Sequence, residues 1–338
     1  MADAAPARTL AKVADEFPAD LDARLREADN PLVIRGLIAD WPLVKAGLKS
    51  GARARAYLLQ HRRDRAFTVN IGEPGAGERL FYDQSMGMNF RTGKANLNDI
   101  FAGIGANEDK RDAPAIYLSS VDVKGYFDGL HEANHVNLGT REPIESIWIG
   151  TRTRIAAHND FPDNLACVAV GRRRFTFFPP DQYANLYLGP LDNTPAGRPV
   201  SMVDLHNPDF AAYPKFREAL KVAQVAELEP GDAIFIPSMW WHHVEALAPF
   251  NVLVNYWWRD TPRFLGQPQD ALNHAILAVR DLPDDEKQLW RQLFDHYVFG
   301  DPKAATEHIP EGARGILDRL DAETAGRIRA NLLRSLSR

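Results

Sequence analysis

Two histidines stand side by side in "SMWWHHVEA", His242 and His243. Neighbouring side chains on a strand point to opposite faces, so a single site can take only one of them. His242 shares its parity with Val244 and His243 with Glu245. The spacing therefore predicts His242 toward the core and His243 toward solvent. A second run, "AAHNDFPDNLACVAVG", reads as one strand and places His158, Asp160 and Asn164 at even spacing with Ala166, Val168 and Val170. A histidine and an aspartate on that apolar face are costly unless they are paired or hold a metal. His158, Asp160 and His242 supply two imidazoles and one carboxylate, the set that holds non-haem Fe(II) and leaves positions open. An outer, supporting role for His243 or Glu245 stays open.

A third stretch, "GRRRFTFFPP", carries a basic triplet. Arg172 and Arg174 read as solvated surface. Arg173 shares parity with Phe175 and Phe177, and an inward guanidinium requires an anion that its planar fork can grip. That anion is either a buried carboxylate of the protein or the carboxylate of a bound co-substrate. "HEANH" (residues 131–135) matches the zinc-protease pattern, but Gly125, Gly129 and Gly139 leave room for about two helical turns, so a loop or short surface helix is expected. "GEPGAGER" has glycines but no helix-opening pattern after a long strand, so phosphate binding is not expected, and His61, His206, His274, His296 and His308 stand singly. Trp240, Trp241, Trp257 and Trp258 read first as core beside a barrel and second as substrate contacts.

The elements that must position these residues are mainly β. Residues 10–30 show helical spacing, "PLVIRGLIADWP" a strand and turn, "RAFTVNI" and "RLFYD" short strands, and Asn98 or Asp99 a helix start. From Ala115 short β-rich runs follow one another, separated by turn chemistry at Gly171, Pro179-Pro180, Pro230-Gly231-Asp232 and Ala248-Pro249. That pattern argues for a sandwich or barrel. After about Asp260 three amphipathic helices follow, with Asp284 and Asp285 as caps for the second. These helices bury their stripes on the barrel or against a second copy, a candidate dimerisation region.

The 338 residues carry a formal charge of −5, which gives no general pull toward nucleic acid or acidic membrane. No apolar run reaches the roughly 18 residues of a membrane span, and "MADAAPARTLAKVADEF" has no apolar signal core. Cys167, the only cysteine, excludes an intramolecular disulfide and fits a reducing compartment. The cytoplasm is the expected location.

With these residues in view, the sequence resembles the cupin-like JmjC family of Fe(II)/2-oxoglutarate oxygenases, in the branch that includes the asparaginyl hydroxylase acting on hypoxia-inducible factor. The likeness rests on "PLVIRGLIADWP", "AIYLSS", "HND", "GRRRFTFFPPDQ", "PGDAIFIPSMWWHHVEAL" and "NVLVNYWW", and covers roughly residues 25–260. The resemblance implies a double-stranded β-helix (cupin/jelly-roll) core with helical flanks. It places a cupin-like JmjC domain with an N-terminal extension at 1–260 and a C-terminal helical segment at 261–338. It implies a metal held by His158, Asp160 and His242, and a 2-oxoglutarate pocket lined by Tyr117, Asn164, Arg173 and Asn255. Arg173 stands where the family usually has lysine, Ile155 where threonine is common, and Asn159 where many relatives have tyrosine.

The implied activity is hydroxylation of a protein side chain or small molecule, by a homodimer, with nucleic acid disfavoured as a substrate. The alternatives are a metal-binding cupin-like module without turnover and a metal-dependent cupin enzyme that does not use oxoglutarate.

Overall fold

The computed structural model describes residues 11–16, 20–73, 76–110 and 112–337. Eight antiparallel strands form its centre: β1 (Ile144–Gly150), β2 (Thr153–His158), β3 (Asp163–Val170), β4 (Arg173–Phe178), β5 (Gln224–Leu228), β6 (Ala233–Ile236), β7 (Trp241–Ala246) and β8 (Asn251–Trp258). Successive strands alternate between two sheets except at β4 and β5, which pair in the same one. In one the order is β5-β4-β7-β2, and in the other β6-β3-β8-β1. This is the winding of a double-stranded β-helix. Ala11–Lys12 and Arg79–Leu80 extend the smaller sheet, while Ala14–Glu16, Leu32–Ile34, Ile116–Asp122, Phe67–Gly72 and Phe90–Ala95 extend the larger.

Three apolar layers follow from side-chain alternation. Between the sheets lie Ala166, Val168, Phe175, Phe177, Ile234, Ile236 and Leu253. Behind the larger sheet, Leu165, Cys167, Val252 and Val254 pack against helices at Pro42–Lys49, Gly51–His61 and Leu97–Gly105. β3 is thus covered on both faces, which explains its unbroken apolar run "LACVAV". Behind the smaller sheet, Phe178 and Trp241 meet Leu186, Val203 and Phe216 from the insertion between β4 and β5. At the turn into β6, Gly231 takes a φ of +106° that only glycine adopts freely. The buried Asp232 carboxylate beside it accepts from the Gly36 and Glu229 amides at 3.0 Å and pairs with Arg35 at 2.7 Å.

Several expectations need correction. The residues expected to be helical from 10 onward are extended at Ala11–Lys12 and Ala14–Glu16, and the helix is confined to Leu21–Glu27; residues 10 and 17–19 lie outside those described. Of the described side chains at 11–15 only Val13, between the two short edge strands, is buried. The helix at Leu97–Gly105 is capped by Asn96, which accepts from the Asp99 amide at 2.9 Å, rather than by Asn98 or Asp99. Asp284 and Asp285 sit inside the first turn of Asp284–Phe294, not at its cap.

The chain divides into two compact units between Arg259 and Asp260. The second contains helices at Pro268–Ala278, Asp284–Phe294 and Ala322–Leu336, whose apolar residues Leu277, Leu289 and Leu333 are largely exposed. No helix among the described residues is long and apolar enough to cross a membrane.

Candidate metal centre and its cavity

His242 on β7 and His158 at the end of β2 are direct cross-strand partners. That pairing brings the two imidazoles to a centroid separation of 4.4 Å. A bulge in β2 sits beside them. The register slips by one between His242↔His158 and Val244↔Ile155, so Ile155 and His158 both face inward although they are three positions apart. Simple alternation would have put them on opposite faces.

The run expected to be one strand is two. Its chain leaves the smaller sheet at His158 and enters the larger at Asp163, with Asp160 in the connector. Pro162, which has no N–H to donate to a ladder, stands at the break. The connector is held from outside: Met239 N donates to Asp160 O at 2.9 Å, Ser238 Oγ to Phe161 O at 2.6 Å, and Ser238 N to Asp163 Oδ1 at 2.9 Å. Asp160 is thereby fixed with its carboxylate 3.6 Å from His242 Nε2.

The imidazole tautomers are set by the backbone. His158 Nδ1 lies 2.9 Å from Ala156 O, and His242 Nδ1 lies 3.0 Å from Trp240 O. A carbonyl only accepts, so each Nδ1 carries a proton and Nε2 is the ring nitrogen left to ligate. Burial, then the neighbouring His158, pushes His242 down to about 4, against the pull of Asp160. A neutral imidazole with a backbone-anchored Nδ1–H is the form that ligates a metal. The ligand atoms of His158, Asp160 and His242 all lie within 4.8 Å of one another. The donor set therefore fits a divalent iron.

The three side chains open into a cavity of about 430 Å³, within the range of small-molecule sites. Arg173, Tyr117, Asn164 and Asn255 line it as well. Arg173 is 3% exposed, and its Nε is buried without a hydrogen-bond partner. Of the two partners the sequence left open, no protein carboxylate among the described residues takes the part. Burial lowers the guanidinium from its usual range, with only the Tyr117 hydroxyl acting in the other direction. Burial likewise pushes Tyr117 up to about 12, so it stays a neutral phenol. A hydrogen-bond chain runs from Trp148 Nε1 to Asn255 Oδ1 at 2.7 Å and from Asn255 Nδ2 to Asn164 Oδ1 at 3.2 Å.

His243 overturns one expectation. It points away from the cavity, yet it is 3% exposed rather than solvated. Alternation fixes which way a side chain leaves a sheet and says nothing about what covers it. The cover is the insertion between β4 and β5, which contributes His206, 6.4 Å from His243 between ring centroids. Burial, then His206 and the arginines at 154 and 79, pushes His243 down to about 3.

Other placements are plain. Trp240 and Trp241 are core residues that donate to Asp29 O and Pro180 O; Trp258 packs on Phe235, and Trp257 lines the cavity. Sequence reasoning missed Trp148, Ser119, Ser120 and the Pro195–Arg198 lip, all of which line the cavity. Trp148 had the signal, an aromatic at alternating spacing in "ESIWIG"; the lip, part of a long insertion, had none. Arg198 lies 3.7 Å above the Phe161 ring and donates to Asn159 O at 3.2 Å. "HEANH" forms a single turn, Leu130–Ala133, with His131 paired to Glu145.

Comparison with known proteins gives the same outline. The profile of the family described as "Cupin-like domain" matches residues 18–264. A lysine-specific demethylase JMJ31 from Arabidopsis thaliana is 35% identical over 116 residues, 34% of this chain and 21% of that protein. A tRNA wybutosine-synthesizing protein 5 from Danio rerio is 36% identical over 188 residues, 54% of this chain and 53% of that one. HSPB1-associated protein 1 from Homo sapiens is 29% identical over 139 residues, 40% and 27% of the two chains. The chain spans about half or less of the length of these relatives.

Proposed function

The chain belongs to the cupin-like domain family, and on that footing we propose that it is an Fe(II)- and 2-oxoglutarate-dependent oxygenase that hydroxylates a protein side chain or a small molecule. The observation that carries this reading is the pairing of two anchors in one cavity. One anchor is the two-histidine, one-carboxylate set; the other is a buried guanidinium with no balancing anion among the described residues. A dicarboxylic 2-oxo acid has the complementary groups: an oxo acid end for a metal with open positions, and a distal carboxylate for the planar fork of Arg173.

His158, Asp160 and His242 would hold the iron, which would supply oxygen activation coupled to decarboxylation of the oxo acid to succinate. The chain's own residues position and exclude. Tyr117, with its proton retained, donates toward the distal carboxylate beside Arg173. The Trp148–Asn255–Asn164 chain fixes amide groups along the cavity wall. Ile155 and Val244 keep the wall between the anchors apolar. None of these residues serves as a general base. The net charge of −5 argues against nucleic acid as the substrate.

The expected result is that purified protein, supplied with Fe(II), oxygen and 2-oxoglutarate, forms succinate and that Asp160→Ala does not. Equal succinate from both proteins would reject the assignment of Asp160. No succinate from either would favour the reading as a metal-binding module.

A further inference from the structure

On the outer face of the smaller sheet, a second group of metal-ligating side chains converges. His243 and Glu245 leave β7 on the side away from the cavity, and His206 comes down on them from the insertion between β4 and β5. Their ligand atoms lie within 4.8 Å of one another. His206 Nε2 is 2.7 Å from Glu245 Oε2, and His243 Nε2 is 3.9 Å from Glu245 Oε1. The second distance is too long for a hydrogen bond but lies within the roughly 4 Å that two ligands can span across one ion at about 2.0–2.1 Å from each.

An independent observation points the same way. Both ring nitrogens of His243 are buried and have no hydrogen-bond partner, and the side chain is 4% exposed. A buried imidazole with neither nitrogen satisfied is costly. It is turned toward a carboxylate and a second imidazole, which is the company a metal ligand keeps. The nearby cations have partners of their own: Arg79 and Arg154 reach Asp204 at 3.6 and 3.2 Å, and Arg174 reaches Glu227 at 2.6 Å, leaving its other nitrogen 3.9 Å from Glu245.

We propose that His206, His243 and Glu245 form a second divalent-metal site, of the zinc class, distinct from the centre at His158, Asp160 and His242. Two imidazoles and one carboxylate suit Zn(II) or Co(II) and leave a position for water. The site bridges β7 to the insertion that also carries the Pro195–Arg198 lip of the cavity. Metal there clasps the insertion onto the sheet one residue away from His242. The inference does not depend on oxygenase activity.

Equilibrium dialysis of the full chain against Co(II) and against Zn(II), followed by metal analysis, tests it. Wild type is expected to take up two equivalents. His206→Gln keeps a donor for the Glu245 carboxylate but removes the imidazole, and is expected to lose one equivalent or bind it at least tenfold more weakly. Asp160→Ala is expected to lose the other equivalent and to keep the one that His206→Gln loses. The double variant should bind none. A second equivalent that survives in His206→Gln with unchanged affinity overturns the proposal, as does a wild type that binds one equivalent lost only in Asp160→Ala. Wild type binding one equivalent that is lost only in His206→Gln would instead reject the first centre and uphold the second.

Discussion

Arg173→Leu is expected to make the ligand-free protein more stable while weakening 2-oxoglutarate binding at least 30-fold. The two halves have one cause. In the ligand-free protein the guanidinium is buried with an unpartnered Nε and no balancing carboxylate. A buried unsatisfied polar group costs about 1–3 kcal/mol, and an apolar side chain in its place removes that cost. With the co-substrate bound, the same change leaves a carboxylate buried without its cation. Truncating one partner of such a pair costs about 2 kcal/mol or more, which is the 30-fold loss. Denaturant midpoints and calorimetric titration read the two effects separately. Were Arg173 a structural cation paired within the protein, its removal would destabilise the fold by about 3–5 kcal/mol instead. Arg173→Lys should fall between, because it keeps the charge and loses the fork.

The second large effect separates the adjacent histidines. His242→Ala is expected to lower Fe(II) affinity by more than the roughly 10–100-fold that removing an outer partner of a ligand costs. His243→Ala is expected to keep Fe(II) at the first centre within about tenfold of wild type, the lower end of that outer-partner range. The reason is geometric. His242 Nε2 is 3.6 Å from Asp160 and faces His158 across the sheet, whereas His243 leaves the opposite face. Anaerobic equilibrium dialysis with Fe(II), with both substitutions made in the His206→Gln background so that only the first centre is read, is the measurement. Equal loss in the two would mean that the faces of β7 do not divide the two sites.

Much of the centre was legible in the chain. Alternation along Trp241–Ala246 picks out which histidine enters the cavity, and parity with Phe175 and Phe177 turns Arg173 inward. These inferences need only the pleat of a strand, which is local. What failed was non-local or irregular. The step from His158 to Asn164 looked like one strand because even spacing survives a crossing between two facing sheets. The bulge in β2 reverses parity between Ile155 and His158, and nothing in "TRIAAH" announces it. The burial of His243, and with it the company of His206, comes from an insertion that crosses back over the sheet from 37 residues earlier in the chain. Contacts of that sequence separation leave no periodic trace. The winding of eight strands into two sheets was reached through resemblance, since composition and turn chemistry stop at a sandwich or barrel.

The most direct test of the account is an anaerobic titration. Fe(II) is added to the protein, then 2-oxoglutarate, and the visible spectrum is followed for the charge-transfer absorption of an iron-chelated 2-oxo acid. This band is expected to appear and to saturate at one equivalent of iron in the wild type, and to be absent in His242→Ala. Iron that binds tightly at His158, Asp160 and His242 while saturating 2-oxoglutarate raises no band would contradict it.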